Sequence, residues 1–157
     1  MRFIVPVGDI KIGQAEDLLV THPLGCCLGL TVYDPSSQIG GLLHAMLPLS
    51  KINPAKARIN PFMFVDTGVP ALFEKLADQG IAKTNLVIKA AGCGNPMGQK
   101  EVFQIGKRNY HVLQEVLGQE GIRLAAEDVG GTASRMVQLD LATGQTIINS
   151  NGAKRVL

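Results

Sequence analysis

Apolar residues in the first third of the chain come in short runs, each broken off by Gly, Pro or Asp before a helical period can complete. The runs at 3–7, 17–20, 28–33 and 40–46 are aliphatic and β-branched and read as strands. That punctuation excludes a helical bundle over this stretch. The period changes at 66–79, where Val69, Leu72, Phe73 and Leu76 recur at helical intervals and Gly80 stands ready to end the helix. A second helix is predicted over 107–119, with Tyr110, Leu113, Val116 and Leu117 as its apolar stripe and Gly121 as its stop. Strands are predicted at 86–91, 122–126, 136–141 and 146–149, and a Gly-rich loop at 92–98. Several strands are consecutive, so the regular alternation of a doubly wound sheet is absent. The expected architecture is an α/β (α+β) sandwich of mixed β-sheets with two main helices packed on one side.

With 157 residues, 46% of them apolar, the chain is sized for one domain, 1–157, with a continuous core and no need of disulfides. No internal repeat or linker is visible. Fifteen basic residues against thirteen acidic ones, scattered along the sequence, form no stripe for nucleic acid. The low aromatic content, without Trp, disfavours base stacking. Pro6 and Gly8 interrupt the first apolar run, and no stretch approaches the roughly 20 apolar residues of a spanning helix, so a cytoplasmic chain not embedded in a membrane is expected. There its three cysteines stay reduced, and their odd number argues against a disulfide framework.

The most informative pair is Cys27 and His44. Asp34-Pro-Ser-Ser37 has the residues of a type I turn between two strand runs. If Asp34 and Ser37 close the hairpin, Cys27 falls directly opposite His44 on the same face, with Cβ atoms about 4.5–5.5 Å apart. A one-residue slip would send the two side chains to opposite faces. A free thiol is mostly protonated at neutral pH, and a neighbouring imidazole can take its proton and stabilise the thiolate, which then attacks an amide carbonyl. On this reading Cys27 is alkylated at mildly acidic pH in preference to the other cysteines. Gly25 gives the chain freedom just before the nucleophile, so main-chain N–H groups around Cys26 could converge on a developing oxyanion. The plain alternative is that Cys27 is a small hydrophobe at the start of an apolar strand.

Other signals are weaker. Three Cys and three His show no C-x-x-C or H-x-x-x-H spacing, and adjacent Cys26 and Cys27 are awkward as a tetrahedral pair, so no metal or other cofactor is expected. The Gly92-x-Gly94-x-x-x-Gly98 loop contains Pro96 and fits neither phosphate-binding fingerprint. His22 reads as a loop residue and His111 as an exposed helix-face residue.

Taken together, Thr21-His-Pro-Leu-Gly-Cys-Cys27, Val32-Tyr-Asp34, Gly41-Leu-Leu-His44 and Leu47-Pro48 resemble the T-x-x-L-G-S-C … Y-D … G-x-x-H-x-x-L-P pattern of the chemoreceptor glutamine deamidase family, CheD. Phe64-Val-Asp-Thr67, Ile105-Gly-Lys-Arg-Asn109, Asp128-Val-Gly-Gly131, Arg135 and Thr143-Gly144 continue the resemblance in order, over nearly the whole chain. The resemblance implies that Cys27 is the nucleophile, His44 the general base and acid, and Thr21 the group that orients the imidazole. It implies a fold akin to toxin-type cysteine deamidases. The implied substrates are glutamines on the cytoplasmic helices of methyl-accepting chemotaxis receptors, with methyl-ester hydrolysis as a second activity and a CheC-type phosphatase as a regulatory partner. Cys26 stands where that pattern has Ser. Two other functions remain open: a non-catalytic binding protein of such a phosphatase or receptor, and a thiol redox sensor built on Cys26 and Cys27.

Overall fold

A computed structural model describes residues 1–157 as ten strands, three α-helices and short 3-10 turns. One sheet holds β1 (Arg2–Val5), β3 (Leu18–Thr21), β8 (Met136–Asp140), β9 (Gln145–Ser150) and β10 (Ala153–Val156), in that order. The other runs β2 (Asp9–Gly13), β5 (Ile39–Ala45), β4 (Leu28–Asp34), β6 (Val87–Gly92), β7 (Ala126–Val129). Each sheet is mixed, with β1–β3 and β6–β7 parallel and the remaining pairs antiparallel. The expected sandwich of mixed sheets with helices on one side is the observed fold class.

Every residue of β4 is buried because its sheet is covered on both faces. Leu28, Leu30 and Val32 pack with Leu43 and Ala45 against α2 (Val65–Ala77) and α3 (Ile105–Gln119). The helical period of the sequence explains this contact: Val69, Leu72, Phe73 and Leu76 are all buried on α2, and Val112, Leu113, Val116 and Leu117 on α3. The alternate residues of β4 and β5 face the first sheet instead. There Tyr33 and Leu42 meet Leu19, Val137 and Leu139, and the hydroxyls of Thr31 and Thr146 pair at 2.9 Å.

Four elements depart from the sequence reading. The strand β2 (Asp9–Gly13) falls in a stretch to which that reading assigns no element, although Ile10 and Ile12 alternate along it. The helix α1 (Pro54–Ile59) has no buried residue and so no apolar stripe; it is set by Pro54 at its start and by Asn53, whose side chain accepts from the Lys56 N–H. The edge strand β10 is exposed throughout and has no apolar alternation to reveal it. The strand expected at 122–126 begins instead at Ala126, opposite Lys89. Gly121 turns the chain with φ 69°, the Ile122 N–H returns to the Leu117 carbonyl, and Ile122 and Leu124 are spent on the helical core before pairing starts.

Candidate active site

Gly29, not Cys27, stands opposite His44. The hairpin closes two residues later than expected, at Asp34 and Ile39. Asp34 does begin the turn, accepting from the Ser36 N–H at 3.2 Å and the Ser37 hydroxyl at 2.7 Å. However, Gln38 adds a left-handed residue (φ 58°) whose N–H returns to the Asp34 carbonyl at 2.9 Å. A shift of two preserves side-chain parity. Cys27, immediately before β4, is therefore a diagonal rather than a direct neighbour of His44, on the face turned to the first sheet.

His44 is completely buried, and its ring crosses the gap between the sheets: Nδ1 lies 3.1 Å from the Val5 carbonyl oxygen on β1. A carbonyl only accepts, so Nδ1 carries the hydrogen and Nε2 keeps its lone pair. Nε2 is buried and has no hydrogen-bond partner. Burial lowers the pKa of this imidazole against the opposing pull of the Val5 hydrogen bond. The half-buried Cys27 thiol is pushed up to about 11, first by desolvation and then by Cys26 beside it. Burial thus favours the neutral form of both the thiol and the imidazole. Such a base takes the proton as attack proceeds.

Thr21 is fully buried on β3, directly across from Val5 in the parallel β1–β3 pair. Its Oγ1 accepts from the Val137 N–H at 3.1 Å, while the imidazole takes the Val5 carbonyl. Thr21 thus adjoins the group that orients His44.

The loop before Cys27 is held through its carbonyls. The Gly25 carbonyl accepts from the Gly94 N–H at 2.8 Å, that of Cys26 from the Asn109 side-chain amide at 3.0 Å, and that of Cys27 from the Cys93 N–H at 2.8 Å. The N–H groups of Gly25, Cys26 and Cys27 donate to no protein acceptor. Three pinned carbonyls in succession leave N–H groups open beside the thiol, as an oxyanion site requires. Gly92 makes this approach possible: at φ 90° a Cβ there would lie 2.3 Å from the Cys27 carbonyl oxygen. Gly106 does the same for α3, since its Cβ would meet the Gly94 carbonyl oxygen at 2.0 Å.

Cys93 is buried at φ 50°, packs on the helical side of its sheet, and its thiol is pushed up to about 12 by burial. It borders a cavity of about 300 Å³ with Gly94, Asn95, Gln104 and Tyr110. A larger cavity of about 450 Å³ near the end of α2 has none of Cys27, His44 or Thr21 in its wall. His111 is exposed and pairs with Glu115.

Val5 and Asn109 are the site residues the sequence reading gave no role. Val5 acts through its main chain and leaves no side-chain signal. Asn109 does leave one: it is a polar residue in register with the buried stripe of Val112, Leu113 and Val116.

A family model for CheD chemotactic sensory transduction matches residues 46–150. A probable chemoreceptor glutamine deamidase CheD from Solibacter usitatus is 46% identical over 99% of this chain and 93% of its own length. Similar proteins of the same description occur in Anaeromyxobacter dehalogenans, 40% identical over 93% of this chain and 92% of the relative, and in Pyrococcus abyssi, 40% identical over 90% and 86%. With near full-length similarity on both sides and the ordered landmarks in place, the chain belongs to the CheD family.

Proposed function

We propose that this chain is a cysteine-dependent protein-glutamine deamidase acting on glutamine side chains of chemoreceptors. The observation that supports this most is the fully buried His44, fixed through Nδ1 by the Val5 carbonyl, with an unpartnered Nε2 on the face it shares with the half-buried Cys27, its diagonal neighbour across the hairpin. A histidine in an apolar gap with one nitrogen committed and the other idle is costly for stability alone and suited to general-base work.

In this reaction Nε2 takes the Cys27 proton as Sγ attacks the carboxamide carbon. The carbonyl oxygen becomes an oxyanion and receives the N–H groups of Cys26 and Cys27, with Gly25 supplying the freedom to present them. The imidazolium returns its proton to the nitrogen, the C–N bond breaks, and ammonia leaves a thioester. Water, deprotonated by the same Nε2, cleaves the thioester to glutamate and restores the thiol. Thr21 is a positioning residue in this scheme: it stands across from Val5 and keeps the carbonyl that holds Nδ1 in place.

No helix is long and apolar enough to cross a membrane. The proposed substrate sites are on cytoplasmic helices of the receptors, which puts the enzyme in the cytoplasm with its three cysteines free. Regulation by a CheC-type phosphatase rests on the family resemblance and is tested by co-purification. The relatives' names speak of deamidation only, and ester cleavage forms no part of this reading. Ammonia release from purified receptor cytoplasmic fragments tests the proposal: the wild type releases ammonia and Cys27→Ala does not. No release from either removes the enzyme and leaves the non-catalytic binding protein, whereas equal release from both removes Cys27 as the nucleophile.

A further inference from the structure

Asn109 sits on α3 with no exposed surface, in a position where helical packing calls for an apolar side chain. Its single amide nitrogen donates to two main-chain carbonyls, of Cys26 and of Met46, each at 3.0 Å. Cys26 immediately precedes the nucleophile, and Met46 lies two residues beyond His44. The amide cannot be flipped, because both partners only accept. Oδ1 is consequently buried without a donor, a standing penalty that an apolar residue would avoid.

The peptide unit joining Cys26 to Cys27 is planar and trans, so its C=O and N–H point in opposite directions. Whatever holds the Cys26 carbonyl therefore aims the Cys27 N–H. The Gly94 N–H does the same for the Cys26 N–H by holding the Gly25 carbonyl. The difference is that Gly94 is main chain, whereas Asn109 is a side chain that also grips the strand carrying His44.

We infer that Asn109 is a positioning residue for the deamidation reaction. It fixes the peptide plane that presents the Cys27 N–H to the oxyanion, and it indexes that plane to the His44 strand through Met46. The inference rests on Cys27 being the nucleophile. It assigns Asn109 no contact with substrate.

The test compares wild type, Asn109→Leu, Asn109→Asp and Cys27→Ala on receptor cytoplasmic fragments, with turnover normalised to the Cys27 thiols that iodoacetamide alkylates. Alkylation forms no oxyanion. Asn109→Leu should therefore lower kcat about 10²-fold, the scale of losing an oxyanion donor, with KM and the pH dependence of Cys27 alkylation as in wild type. Asn109→Asp adds a signature of its own. Buried between two carbonyls, its carboxyl has a raised pKa, donates one hydrogen bond while protonated, and repels both carbonyls once ionised. Its kcat should fall with rising pH across a range where the wild type is flat. A merely structural Asn109 would show wild-type kcat per alkylatable thiol in both variants, and that result overturns the inference. Turnover surviving in Cys27→Ala overturns the nucleophile assignment instead, so the two failures are distinguishable.

Discussion

The β4–β5 hairpin has two ends that solve the same problem in opposite ways. At the turn end the Asp34 groups are served within the turn: its carboxylate takes Ser36 and Ser37, and its carbonyl takes Gln38. At the open end the carbonyls of Gly25, Cys26, Cys27 and Met46 are served by Gly94, Asn109, Cys93 and again Asn109, all far along the chain or on another element. The open end leaves His44 Nε2, Asn109 Oδ1 and three consecutive N–H groups without protein partners. One end is arranged for stability, and the other holds unsatisfied groups in readiness, which is where chemistry can be done.

Substitutions that separate the two ends sharpen this contrast. The largest effect is expected at the thiol: Cys27→Ala should lower kcat by at least about 10³-fold with the fold retained, since the side chain is small and half-buried. His44→Gln should lower kcat by about 10²–10⁴-fold, the range for loss of a general base. Gly106→Ala attacks the support of the open end. A Cβ colliding with main-chain atoms of Cys93 and Gly94 should cost about 1–3 kcal/mol and reduce kcat in the molecules that remain folded, measured by thermal unfolding beside ammonia release. Asp34→Ala at the turn end should cost about 1 kcal/mol by loss of its hydrogen bonds and leave kcat per folded molecule unchanged. A kcat loss in Asp34→Ala comparable to that in His44→Gln would break the division.

The smallest expected effects come from pH. His44 titrates below its ordinary 6.5 in the folded chain, so the unfolded chain binds the proton first and stability falls as the pH drops below 6.5. Cys27 and Cys93 titrate above their ordinary 9.0, so their contribution is complete below pH 9.0 and is lost as the pH rises toward about 11 and 12. Denaturant midpoints should therefore be flat between those limits. The acid limb of kcat/KM should have its midpoint below 6.5, reporting a buried neutral base.

The same contrast explains what was legible in the sequence. The turn of the hairpin, the buried stripes of α2 and α3 and the shared face of Cys27 and His44 follow from local spacing. The hairpin register differs by two from the expected one because Gln38 enters the left-handed region, a conformation its residue type does not announce. Val5 and Asn109 escaped because one acts through a main-chain carbonyl and the other joins residues 63 and 83 positions away. The edge strand β10 and the helix α1 bury nothing, so no apolar pattern marks them.

The most direct measurement of Cys27 as the acylated nucleophile is an acid quench during turnover on a receptor cytoplasmic fragment, followed by peptide mass spectrometry. The account predicts a receptor glutamyl group in thioester linkage to the peptide containing Cys27, absent when His44 is replaced by Gln. A thioester on Cys93 or on Cys26, or undiminished deamidation with none on Cys27, would contradict it.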